Sequence, residues 1–225
     1  GSASTGSMLK KTPAILDNNV PFNMEADSLN CIVLGADVTP DKPEWDIFIK
    51  EIRKEMTLKA GQRCTGIRRI FVPENKMEDA WKAIAAELDK TTIGNPLNEK
   101  VRMGSMAGLT QREEVRAQVQ KLLASSAVIY GSLDSVNVVD ADANEGAFLS
   151  PLLLLNKDPF AGEESHNIEA FGPVSTIMPY KNMDEAIALS KKGKGSLCSS
   201  VVTAAPAYAK QYVLGAASHH GRILV

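Results

Sequence analysis

The chain has 225 residues, 44% of them hydrophobic and 23% charged, with a net charge of −2. That size allows one α/β domain or two small ones, and so near-neutral a balance gives no reason to expect nucleic acid or an anionic membrane as partner. No apolar run approaches the roughly 20 residues that span a bilayer. Three cysteines (Cys31, Cys64 and Cys198), odd in number and far apart, argue against a disulfide framework and for a reducing cytoplasm.

Taken in order, Asn19–Asn23 and Cys31–Gly35 read as short extended segments, the second a compact buried strand. Pro43 opens a helix that carries Trp45, Phe48, Ile49, Ile52 and Met56 on one face. A Gly-containing turn with Cys64 follows, then a β-rich run from Ile67 to Val72 closed by Pro73. Met77, Ala80, Trp81, Ile84 and Leu88 form a second apolar helix face. Thr110 and Glu113 have the spacing of a capping box ahead of a helix that turns Val115, Val119, Leu122 and Leu123 inward. Ala127–Tyr130, Leu152–Leu155, Pro173–Pro179 and Leu197–Thr203 read as strands. Asp184–Ser190 and Pro206–Leu214 read as helices, the latter with Tyr208, Tyr212 and Gly215 on one side. Strands separated by helical stretches need crossover connections. The predicted fold class is therefore α/β: an open, mainly parallel sheet covered by helices on both faces, formed by residues 1–225 as one domain.

Ligands in such sheets usually sit beyond the carboxyl ends of the strands. Cys64 stands between a helix and a strand, so it is not automatically at that end. A thiol on such a turn can reach a cleft and attack an electrophile, or it can be a small buried hydrophobe. Glu25 follows the Asn19–Asn23 segment and stands between Met24 and Ala26. In an apolar pocket its carboxyl could activate water; singly, a Glu is more often a solvated surface acid, and Asp27 shares that ambiguity. Glu169 and Phe171 lie on one side of an extended segment that Gly172-Pro173 turns into a strand. An acid beside a ring suits a ribose, and equally an ordinary strand entry with Phe171 in the core. Gly1 and Ser2 would place free N–H groups at a helix start, where a phosphate can sit, though Gly/Ser-rich ends are commonly disordered or vector-derived. His219-His220 point to opposite sides of any regular element, so no metal site is expected.

These motifs, in this order, resemble the aldehyde dehydrogenase superfamily. Gly61-Gln62-Arg63-Cys64 is similar to its nucleophile motif, Met24-Glu25 to its general-base motif, and Glu169-x-Phe171-Gly172-Pro173-Val174 to its cofactor-ribose motif. Gly1-Ser2-x-x-x-Gly6 is similar to the end of its pyrophosphate-side motif, and Ile93–Pro96 and Met103-Gly104 fall where it has short signatures. Four further runs resemble one branch more closely, the dehydrogenase part of the bifunctional ring-opening proteins of phenylacetate degradation. They are Met24–Cys31, Val38–Glu44, Lys59–Thr65 and Arg68–Pro73. The benzoyl-CoA-pathway semialdehyde dehydrogenases are the nearest competing branch. One departure stands out: Ala26-Asp27-Ser28 follows Glu25 where the superfamily has Leu-Gly-Gly.

The resemblance implies Cys64 as nucleophile and Glu25 as base. It also implies cofactor contacts from Gly1, Ser2, Glu169 and Phe171, with NADP or NAD as cofactor and a CoA-linked aldehyde as substrate. A homo-oligomer is implied as well. The opening without an initiator Met and the apolar ending Ile223-Leu224-Val225 predict a fragment. It would lack most of the cofactor-binding domain, the oxyanion-hole Asn and the oligomerisation segment, and so be inactive alone. Two rival functions remain, a CoA-acylating enzyme and a silent scaffolding domain. Retention of a carboxylate at Glu25 weighs against the first, whose chemistry needs no water-activating base, and retention of both Cys64 and Glu25 weighs against the second.

Overall fold

The computed structural model describes residues 1–225. It opens with two short helices, α1 (Ala3–Lys10) and α2 (Pro13–Leu16), neither of which buries a residue. An irregular stretch leads to β1 (Cys31–Leu34), followed by α3 (Pro43–Thr57), β2 (Arg69–Pro73), α4 (Met77–Leu88) and α5 (Leu109–Leu122). Next come β3 (Ala127–Tyr130), β4 (Leu152–Leu155), α6 (Glu164–Asn167), β5 (Val174–Tyr180) and α7 (Met183–Lys191). The chain ends with β6 (Ser196–Val202), α8 (Pro206–Ala216) and β7 (His220–Leu224).

The seven strands form one sheet in the order β3-β4-β5-β2-β1-β6-β7. Every neighbouring pair is parallel except β3 with β4, an antiparallel edge with a register shift between Val128 and Tyr130. The open, mainly parallel α/β sheet expected from the sequence is what forms. β1 lies between β2 and β6, and all four of its residues are buried. That is why Cys31-Ile32-Val33-Leu34 is apolar without alternation: both faces need cover.

Successive strand residues point to opposite faces. Ile32, Leu34, Ile70, Val72, Leu153 and Ile177 pack under α3 and α4, against Phe48, Ile52, Met56, Ile84 and Leu88. Cys31, Val33, Phe71 and Met178 pack against α7 and α8 through Leu189, Ala186 and Tyr212. On that same face, farther along the sheet, Leu152, Leu154 and Val174 meet Val115, Val119 and Leu122 of α5.

Two details differ from the sequence reading, and a third settles one of its alternatives. α5 begins at Leu109 behind Gly108, with no side-chain cap, so Thr110 and Glu113 both lie within the helix instead of forming a capping box. β2 begins two residues later than Ile67, at Arg69. The Gly/Ser-rich opening is helical, with the Ser2 hydroxyl capping α1 by accepting from the Thr5 N–H at 3.3 Å.

Candidate active site

A cleft of about 1030 Å³ opens at the amino ends of the central strands. Its walls come from residues that precede β1 (Glu25, Ser28), β2 (Gln62, Cys64), β5 (Glu169, Phe171) and β6 (Gly195), together with Gly1 and Ser2 of the opening and one side of α5. The carboxyl-end expectation for ligand sites in this fold class therefore fails here, because these segments enter their strands from the opposite edge. All six candidate residues, Gly1, Ser2, Glu25, Cys64, Glu169 and Phe171, line this one cleft.

The loop carrying Cys64 has an unusual backbone. Lys59, Ala60 and Gly61 have φ of 54°, 51° and 69°, three successive left-handed residues between α3 and the thiol. Two of them have side chains, for which this region is costly, and such outliers concentrate at functional sites. Gly61 is required on two counts: its φ, and a space in which an added Cβ would sit 2.2 Å from the Gly172 carbonyl oxygen. The loop is held from several directions. Gln62 Oε1 accepts from the Ala107 N–H at 2.8 Å, and Arg63 pairs with the buried Glu55.

Asn30, fully buried just before β1, is the main anchor. Its Nδ2 donates to the carbonyls of Cys64 and Gly66, both at 2.9 Å, while its Oδ1 accepts from Ser28 Oγ at 2.7 Å and the Cys198 N–H at 3.0 Å. One amide thus fixes the Cys64–Thr65 peptide to the segment that carries Glu25. Cys64 is exposed, whereas Cys31 and Cys198 are buried within β1 and β6. Burial pushes both of those thiols up, away from the reactive thiolate.

Glu25 is exposed to the cleft, not set in an apolar pocket, and its backbone carbonyl accepts from the amino group of Gly1 at 3.0 Å. Asp27 Oδ1 accepts from the Ala3 N–H at 3.0 Å. A carboxylate thus already takes one of the free N–H groups at the start of α1, the feature that made Gly1 and Ser2 a phosphate candidate. The two residues still face the cleft.

Glu169 and Phe171 separate in exposure but share a neighbour. The Phe171 ring is 41% exposed, so it is not the core residue of the bland alternative. The Glu169 side chain is 6% exposed: Oε1 accepts from Arg68 Nε and Oε2 from the Ser28 N–H, each at 3.0 Å. Burial pushes the Glu169 carboxyl up against the opposing pull of Arg68. Arg68 also lies over the Phe171 ring, 5.3 Å from its centroid.

Sequence reasoning passed over Asn30 and Arg68. Asn30 sits in a polar-looking run ahead of a strand, and Arg68 in a doublet whose second member, Arg69, is equally buried. The only sequence signal was that two adjacent arginines at the start of a buried strand must each find partners.

The aldehyde dehydrogenase family profile matches residues 1–217. The chain belongs to the aldehyde dehydrogenase family. It is 38% identical over 225 residues to a 3,4-dehydroadipyl-CoA semialdehyde dehydrogenase of Aromatoleum evansii, covering 100% of this chain and 44% of that protein. It is 40% identical over 125 residues to Protein MaoC of Klebsiella aerogenes, 55% of this chain and 35% of that one. Among solved structures, betaine aldehyde dehydrogenase of Staphylococcus aureus superposes on the whole chain with a TM-score of 0.86 at 20% identity, using 42% of its own length. That likeness is one of fold. The chain thus spans less than half the length of these relatives. No helix in this aldehyde dehydrogenase chain is long and apolar enough to cross a membrane.

Proposed function

We propose that the enzyme to which this chain contributes oxidises a CoA-linked semialdehyde to the carboxylic acid with NADP or NAD, in the degradation of aromatic acids such as phenylacetate. The observation that carries this is convergence: the one exposed cysteine and the acid at Glu25 open into the same cleft as Glu169 and Phe171. The CoA-linked substrate is supported by the activity of the Aromatoleum relative. The phenylacetate setting is supported by the shared runs Met24–Cys31 and Lys59–Thr65.

In this mechanism the Cys64 thiolate attacks the aldehyde carbonyl carbon, forming a C–S bond and leaving negative charge on the oxygen. The Cys64 N–H serves as one donor to that oxygen. NADP or NAD, when bound, would supply the hydride acceptor needed for oxidation to the thioester level. Glu25 then takes a proton from a water molecule as the water attacks the thioester. The C–S bond breaks, the thiolate is restored and the acid leaves. Gly1, Ser2, Glu169 and Phe171, which all line the cleft, are the residues of this chain that would hold the cofactor. Each Glu169 oxygen keeps a lone pair beyond its present bond.

Because the chain spans 44% of its Aromatoleum relative, these 225 residues alone are expected not to turn over aldehyde. The intact protein is proposed to be cytoplasmic and homo-oligomeric. The test is product identity: the intact enzyme, given semialdehyde, NADP and free CoA, is expected to release free acid, and Cys64→Ala to release nothing. Formation of a new acyl-CoA in place of free acid would transfer the chain to the acylating class, where CoA resolves the thioester and Glu25 has no role.

A further inference from the structure

Arg68 is buried at 4% exposure, and its guanidinium joins two parts of the cleft that the sequence separates by about a hundred residues. On one side Nη2 donates to the carbonyls of Gly61 at 2.9 Å and Arg63 at 3.2 Å, the two residues that set the course of the chain into Cys64. On the other, Nη1 donates to the Gly172 carbonyl at 2.9 Å, Nε to Glu169 at 3.0 Å, and the plane lies over Phe171. A planar fork suits this task, and an ammonium group does not, because the acceptors lie on opposite sides of one guanidinium.

The neighbourhood makes the link stiff. The Gly61 α-carbon already faces the Gly172 carbonyl with no room for a methyl group. Glu169 in turn holds the Ser28 N–H, and Ser28 bonds Asn30, which holds the Cys64 carbonyl. The strained Lys59–Gly61 backbone needs such outside support to persist.

Resting on the nucleophile-and-cofactor assignment proposed above, we infer that Arg68 is a positioning residue that couples the Glu169–Phe171 segment to the placement of Cys64. A change in the charge or occupancy of Glu169 moves the guanidinium, and with it the Gly61 and Arg63 carbonyls that hold the thiol loop. Arg68 takes no part in bond making.

The test is a double-mutant cycle read at the thiol. The rate of Cys64 alkylation by iodoacetamide, followed by peptide mass spectrometry across pH, is measured in the wild-type chain, Glu169→Gln, Arg68→Met and the double variant. Thermal melts establish that each is folded. Glu169→Gln is expected to change the Cys64 rate by about threefold or more when Arg68 is present, the low end for groups sharing one network, and to have little effect when it is absent. A direct field from Glu169 on the thiol would act equally in both backgrounds. Equal effects, or none in either, therefore overturn the coupling. Should Arg68→Met fail to fold, Arg68→Lys replaces it: the charge stays and the fork is lost, so coupling should vanish there too, and coupling retained with Lys overturns the proposal. The nucleophile assignment is judged separately, by whether wild-type Cys64 alkylates faster at neutral pH than it does in the urea-unfolded chain.

Discussion

His166 shows how far single residues in this protein are fixed by burial. Its Nδ1 lies 3.1 Å from an Arg69 nitrogen and its Nε2 2.9 Å from the Pro159 carbonyl oxygen, while the ring stacks on Phe71. Arg69 donates only to the carbonyls of Leu29, Leu189 and Ser190 and to this ring, with no carboxylate as partner. The imidazole must therefore stay neutral, with Nδ1 accepting from Arg69 and the Nε2 proton given to Pro159. Burial, aided by the Arg69 charge, pushes its pKa down to about 4 from 6.5. The sign follows directly: the unfolded chain takes up this proton below about 6.5 and the folded chain does not, so stability is complete above that pH and drains away as pH falls toward about 4. The span is worth about 3 kcal/mol. Urea midpoints are expected to fall between pH 7 and 4 in the wild-type chain and to fall less in His166→Gln, which can keep both bonds. Equal slopes would contradict this. At this scale the sequence was only partly legible. That Cys64 could face a cleft was readable from its turn, and the burial of Cys31 and Cys198 from their strands. The environment of Glu25 was not, because exposure depends on α1, which packs beside it from outside its local sequence.

Among the elements, the lead into β1 and the loop ahead of β2 are joined through Asn30. Its amide serves the carbonyls of Cys64 and Gly66 and receives the Cys198 N–H, so three elements meet on one buried side chain. Asn30→Asp keeps the shape and removes both donors, leaving two carbonyls unpartnered beside a carboxylate. Denaturant unfolding is expected to show a loss of about 2 kcal/mol or more, and a change below half a kcal/mol would mean that water replaces the amide. Helices and strands were legible wherever periodicity was driven by packing: α3 buries Trp45, Phe48, Ile49, Ile52 and Met56 as their spacing requires. They were less legible where long-range polar contacts decide. The chain at the start of α1 is tied down by the Glu25 carbonyl and the Asp27 carboxylate.

For the whole molecule, alternation of strands and helices was enough to give an open, mainly parallel sheet, but not its strand order, nor the edge at which the cleft would open. Those depend on which segments cross which face, and no local pattern encodes that. The cleft lies at the amino edge because the approaches to β1, β2, β5 and β6 all converge there, bringing Glu25, Cys64, Glu169 and Gly195 together from across the chain. The central proposal is the division of labour in which Cys64 forms the thioester and Glu25 releases it. It is tested most directly by mass spectrometry of the intact enzyme carrying Glu25→Gln, quenched in acid after mixing with semialdehyde and NADP. An acyl adduct on Cys64 that accumulates in this variant and not in the wild type is the expected result. An absence of adduct on Cys64, or its undiminished turnover, would contradict it.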